Sequence, residues 1–194
     1  TRLQSADELN ESVNLDTALL NPAAKYGGLY APINLPLISK KEFKKLAKLN
    51  YEDFALEIIK KFNFNISLNK FKKALSRYEK FDKSAVEIKK VHKDLYINEL
   101  WHGPTRAFKD MALQIMPRLL SLSLDKCGEE RDALILVATS GDTGKAALAG
   151  YADVPRVRIQ VFYPSEGVSR IQKLQMATQE GANVSVCAIK GNFD

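Results

Sequence analysis

The chain has 194 residues, 45% of them hydrophobic, with a formal net charge of +6 and a pI near 9.2. That length and apolar content support one domain or one and a half, and exclude a disordered chain. Residues 40–93 carry 16 basic against 7 acidic side chains, yet the lysines lie on helical patterns beside acids, without an aromatic-basic module or Cys/His finger, which argues against nucleic acid as a partner.

Taken in order, Asp7 to Leu20 reads as a strand plus a short helix, and Asn21-Pro22 and Gly27-Gly28 are turn signals. Ser39-Lys40-Lys41-Glu42 is a capping box ahead of a helix that Asn50 is expected to end. Tyr51 to Phe62 carries Phe54, Ala55, Ile58, Ile59 and Phe62 on one face, and a third helix follows Ser67. Short amphipathic helices need a shared partner surface, so residues 1–93 are expected to form a mainly helical N-terminal domain. Ala85 to Val91 and Asp94 to Leu100 switch to period two and predict a hairpin. Met111 to Leu124 is helical in spacing, with Pro117 predicting a kink or restart. Ala133 to Ala138 is a continuous apolar run, expected in a strand buried on both faces. A helix at Lys145 to Ala152, a strand at Val157 to Tyr163, a helix at Ser169 to Gln179 and a strand at Asn183 to Ile189 follow. This β-α-β-α-β alternation predicts a parallel sheet with flanking helices. The division is therefore 1–93, 94–132 and 133–194. The start at Thr1 and the stop at Asp194, which suits a helix N-cap, are expected of part of a longer protein.

The two cysteines, Cys127 and Cys187, form no CxxC, and Cys187 reads as a buried reduced thiol. Two well-separated histidines complete no zinc set, so no metal is expected. No signal peptide and no run of about 18 apolar residues is present, and the chain reads as cytoplasmic, with no membrane partner.

Two stretches carry chemistry. In Trp101-His102-Gly103-Pro104-Thr105-Arg106-Ala107-Phe108-Lys109-Asp110, a Gly-Pro turn precedes Thr105, which reads as the opening of a helix with Lys109 in its first turns. Burial and a helix N-terminus both favour the neutral amine of a lysine, the form that condenses with carbonyls such as the aldehyde of pyridoxal phosphate. Asp110 either stabilises an ammonium or occupies the first turn, where acids are common; the second reading is preferred. His102 either touches a cofactor or orders the turn. In Thr139-Ser140-Gly141-Asp142-Thr143-Gly144, hydroxyls and glycines between a strand and a helix make either an anion site or an ordinary helix cap. The stretch matches neither a Walker A loop nor GxGxxG.

Together these motifs, with Gly27-Gly28-Leu29-Tyr30-Ala31-Pro32, Gly167 to Met176 and Gly191-Asn192-Phe193-Asp194 in the same order, closely resemble the N-terminal portion of threonine synthases. The resemblance implies an incomplete tryptophan-synthase-β-like α/β fold preceded by a helical domain. It implies an enzyme that uses pyridoxal 5′-phosphate to convert O-phospho-L-homoserine and water to L-threonine and phosphate, by γ-elimination and β-addition. By position, Lys109 would hold the cofactor and move protons, with Asp142 and His102 at the cofactor. Ser140, Gly141, Asp142, Thr143 and Gly144 would hold the substrate. Asp142 stands where many relatives of this fold carry Asn. Arg170 and Lys173 read as solvated helix charges rather than phosphate ligands. The family's glycine-rich cofactor-phosphate loop is expected beyond Asp194, which would leave this chain a poor catalyst alone. The competing readings are a threonine-synthase-like phospholyase or β-replacement enzyme, and a non-catalytic interaction module built on the basic helices.

Overall fold

The computed structural model describes residues 3–5, 12–24, 27–139 and 141–191. Ser140 and Asn192-Phe193-Asp194, with much of the Asp7 to Leu20 segment before Ser12, lie outside the described residues, and so does any capping by Asp194. β1 (Leu3–Ser5) pairs antiparallel with β2 (Ser12–Val13) and with β3 (Tyr30–Pro32). Between β2 and β3, helix α1 (Leu15–Leu20) starts at Asn14, whose side chain accepts from the Thr17 amide.

The three basic helices form as the apolar spacing requires. α2 (Lys40–Leu46) opens on the Ser39–Glu42 capping box, α3 spans Tyr51–Phe62, and α4 spans Leu68–Leu75 before a 3₁₀ turn at Ser76–Lys80. Asn50 differs from expectation. It does not end α2, which closes at Ala47; its side chain accepts from the Asp53 amide and so caps the start of α3. Phe71, Ala74, Leu75, Tyr78 and Phe81 are buried together with Ala85 and Ile115.

β4 (Glu87–His92) and β5 (Leu95–Glu99) form the expected antiparallel hairpin. It leads into the lysine turn, then into the one-turn helix α5 (Asp110–Leu113) and α6 (Met116–Lys126). Pro117 lies in the first turn of α6, so the chain restarts there rather than kinking, since proline lacks an amide that the first turn does not need.

The last third is β6 (Ala133–Ala138), α7 (Asp142–Tyr151), β7 (Val157–Pro164), α8 (Arg170–Ala177) and β8 (Val184–Ile189). The strands are parallel in the order β6-β7-β8. Val157, Ile159 and Val161 pack against Leu148 and Tyr151 of α7, Met176 of α8, and Leu120 and Leu124 of α6. All three helices therefore cover one sheet face. Two expectations fail for that reason. β6 is not buried on both faces, because Leu134 and Leu136 are 60% and 64% exposed on the open one. Cys187 is exposed rather than buried, since it pairs in register with Phe162, which in turn pairs with Ala138, on that same face. Among the described residues no helix is long and apolar enough to cross a membrane, and no group of three or more His, Cys, Asp or Glu side chains could hold a metal ion.

Candidate active site

The lysine turn is not the helix opening expected of Thr105. Residues 103–109 run as successive turns, and Lys109 occupies the cap position of α5. Asp110 organises the turn. Its carboxylate is fully buried and accepts from the Thr105 amide at 2.9 Å and the Thr105 hydroxyl at 2.8 Å. Burial pushes this carboxyl above its ordinary value, against the pull of the Thr105 bonds and the Lys145 charge. Asp110 is thus a structural clamp that folds the turn back on itself, a third role beside the two read from sequence.

His102 is buried between two carboxylates, with Nδ1 2.8 Å from Asp82 Oδ1 and Nε2 2.7 Å from Glu99 Oε2. Both ring nitrogens are thereby committed within the chain. Arg106 bonds the other oxygen of Asp82, and Lys89 lies 3.4 Å from Glu99. The cluster ties both strands of the hairpin and the segment after the 3₁₀ turn to the lysine turn. Sequence reasoning missed Asp82 and Glu99; a histidine three residues after Glu99 was the available signal. The Arg106 guanidinium holds Asp82 below the usual carboxylate range, and the His102 ring does the same for Glu99. A depressed carboxylate contributes stability above its unfolded value and loses it as pH falls through the folded one. Stability is therefore expected to hold at neutral pH and drop through and below about pH 4. Urea unfolding from neutral pH to about pH 3 should show a shallower loss in Glu99→Gln than in the wild type.

The hydroxyl–glycine loop is held from its first residue. Thr139 is buried, and its Oγ1 accepts from the amides of Gly141 and Gly144, both at 3.1 Å. Gly141 has φ +143°, a conformation that L side chains rarely adopt. With Gly144 satisfied by Thr139, the amides of Asp142 and Thr143 have no carbonyl within α7 to bond. The Asp142 carboxylate accepts from Gln172 Nε2 at 2.8 Å and lies 3.0 Å from Lys145 Nζ. Those two contacts, in that order, hold Asp142 below the ordinary carboxylate value, and the Lys109 charge adds to the effect. The fold thus brings Lys109 and Asp142 within electrostatic reach, and the Lys145 charge acts on both Asp142 and Asp110. Gln172 and Lys145 are the loop partners that sequence reasoning did not assign, although Lys145 stands three residues from Asp142 on one helix face. Arg170 and Lys173 are exposed on α8.

Lys109 itself forms no salt bridge or side-chain hydrogen bond among the described residues, and its Nζ lies 4.5 Å from the centre of the Phe108 ring. An amine without a carboxylate partner among the described residues, within electrostatic reach of a helix start whose first amides have no partner inside the helix, suits a carbonyl compound that carries an anionic group.

Replacing Thr139 by Val keeps the shape and removes both acceptor contacts. Thr139→Val is expected to cost about 2 kcal/mol of stability. Urea unfolding monitored by far-UV circular dichroism checks it; an unchanged midpoint would show that the loop amides do not depend on Oγ1.

Comparison with known proteins follows the same geometry. The chain superimposes on the crystal structure of pyridoxal-phosphate-bound threonine synthase from Brucella melitensis with a TM-score of 0.92 at 31% identity, covering 100% of this chain and 42% of that one. For the yeast threonine synthase structure the TM-score is 0.91 at 30% identity, with 100% and 41% covered. The arrangement is the tryptophan-synthase-β-like α/β fold. Residues 2–78 match the family model "Threonine synthase N terminus". Threonine synthase of Pseudomonas aeruginosa is 40% identical over 94% of this chain and 39% of that protein, and threonine synthase-like 2 of Rattus norvegicus is 36% identical over 94% and 38%. By sequence and by fold the chain corresponds to the N-terminal portion of the threonine synthase family. It spans about two-fifths of the length of the relatives it matches.

Proposed function

We propose that the protein carrying this chain is a threonine synthase, which converts O-phospho-L-homoserine and water to L-threonine and phosphate with pyridoxal 5′-phosphate, in the cytoplasm. The observation that carries the reading is Lys109: an amine on a clamped turn, without a salt bridge among the described residues, whose charge is felt by Asp142 of the glycine loop. The donor set fits the cofactor, since it offers an amine for an aldehyde and amide donors for an anion. When bound, pyridoxal phosphate supplies an electron sink for carbanions beside the amino carbon.

In this reading Lys109 Nζ holds the cofactor, and once released from it takes and returns protons at the substrate carbons. Gly141, Thr143 and Gly144, with Ser140, hold the substrate carboxylate through amides and hydroxyls. Asp142, fixed by Gln172 and Lys145, faces the cofactor. His102 stands near the cofactor in this reading and acts by fixing the turn through Asp82 and Glu99. Residues 1–93 act as a helical support, 94–132 carry the lysine, and 133–194 form part of an α/β domain. The open apolar face of β6 to β8 supports a larger fold around this portion.

The test is an assay of full-length protein with O-phospho-L-homoserine, in which threonine and phosphate should form in equal amounts. Phosphate without threonine would instead support the phospholyase reading.

A further inference from the structure

Several cations of this chain have an acid beside them. Lys126 pairs with Asp16, Lys145 with Asp142, and Arg156 with Asp125 and Asp132. A cleft between α4, the 3₁₀ turn and α6 breaks that pattern. It measures about 450 Å³; its polar wall is Lys70, Lys73, Ser76, Arg77, Arg118 and Ser121, the rest is the apolar Ala74, Leu122, Val154 and Pro155, and no acidic residue lines it. Among the described residues none of its four cations forms a salt bridge. Lys72, on the same helix but outside the cleft, reaches Asp53 at 3.3 Å.

The two arginines are held in place without being neutralised. Arg77 Nη2 donates to Gln114 Oε1 at 3.2 Å. Arg118 Nη1 donates to the carbonyls of Gln114 at 2.7 Å and Gly150 at 3.1 Å. All three acceptors are uncharged. Arg77 Nε is buried with no hydrogen-bond partner among the described residues, and so is Nε2 of the fully buried Gln114. Burial lowers the pKa of Arg77, and burial followed by the Arg77 charge brings Arg118 down to about 10. Two desolvated guanidiniums that repel each other are costly unless a counter-charge meets them. Planar guanidinium forks suit tetrahedral oxyanions, because each presents parallel N–H donors to two oxygens.

We propose that this cleft is a binding site for a phosphate-type oxyanion, either free phosphate or the phosphate end of a small ester. Arg77 and Arg118 provide the forks, and Lys70 and Lys73 neutralise the second charge from the rim. The site is separate from the Lys109 turn and does not depend on the chemistry there. Gln114, five residues after Lys109, links both arginines to the end of α5, so occupancy would also brace the segment that carries the lysine.

The experiment measures inorganic phosphate binding to full-length protein, by thermal unfolding and by calorimetry, against sodium chloride of matched ionic strength. Phosphate should raise the unfolding midpoint where chloride does not. Lys73→Gln and Arg77→Gln should each weaken the binding by about tenfold. Arg118 is left intact because it also bonds two backbone carbonyls. Methyl phosphate in a parallel titration separates the sources: binding as tight as phosphate assigns an ester, and weaker binding assigns the free ion. A phosphate affinity unchanged in both variants, or a chloride effect of equal size, would overturn the proposal. Crystals soaked in selenate give a readout that needs no variant. An anomalous peak between Arg77 and Arg118 is expected, and a protein carboxylate seated there instead would contradict it.

Discussion

Lys109→Ala should lower threonine formation by full-length protein about 10³-fold or more, the scale typical of losing a positioned proton-transfer group. The same variant should lose the visible absorbance of bound cofactor. Its stability should stay within about 0.5 kcal/mol of the wild type, because Lys109 forms no salt bridge among the described residues and the Phe108 ring it contacts is itself exposed. Those three readouts separate a catalytic lysine from a structural one. A fall in stability as large as the fall in rate would point to a misfolded turn. Residual activity within tenfold of wild type would move the chemistry to another lysine, with Lys145 the next to examine, since its charge also acts on Asp142.

The second large effect concerns how the two motifs are held together. Gly150, in the last turn of α7, lies against the end of α5: a Cβ there would sit 2.0 Å from the Leu113 carbonyl oxygen and 2.8 Å from its carbon. Both are backbone atoms, which cannot swing aside as a side chain can. In an open helix, Gly→Ala would stabilise by about 1 kcal/mol. Here overpacking opposes that gain, and Gly150→Ala is expected to cost about 2–3 kcal/mol net. Activity should fall with it, because Lys109 caps α5 and the glycine loop leads into α7. Urea unfolding of the variant checks the prediction, and a variant more stable than the wild type would mean that α5 and α7 move apart at little cost.

Much of this fold was legible in the sequence because local signals agreed with it. The Ser39 capping box, the period of Tyr51 to Phe62 and the β-α-β-α-β alternation each depend on neighbours along the chain, and each formed as read. The errors fall where a residue's fate depends on distant packing. Leu134, Leu136 and Cys187 read as buried because an apolar run does not reveal that all the covering helices lie on one side. Asn50 suits a helix end and a helix start equally well by type, and only the Asp53 amide decides between them.

The site shows the same division. Lys109 and the glycine loop were singled out from residue types and order, and the fold places the Lys109 charge within reach of Asp142. The groups that hold them were not found. Thr139 was read as one hydroxyl among several, yet it anchors two loop amides. Asp82 and Glu99 come to His102 from separate segments, and Gln172 comes to Asp142 from the next helix. Such partners are specified by the fold rather than by any motif, which is why a lysine can be recognised before its supports can.

In the proposed function Lys109 is the residue that holds pyridoxal phosphate. Full-length protein incubated with the cofactor, reduced with borohydride and digested should carry the phosphopyridoxyl mass on the peptide containing Phe108-Lys109-Asp110. The same mass on a different lysine, with Lys109 unmodified, would assign the cofactor to that lysine instead.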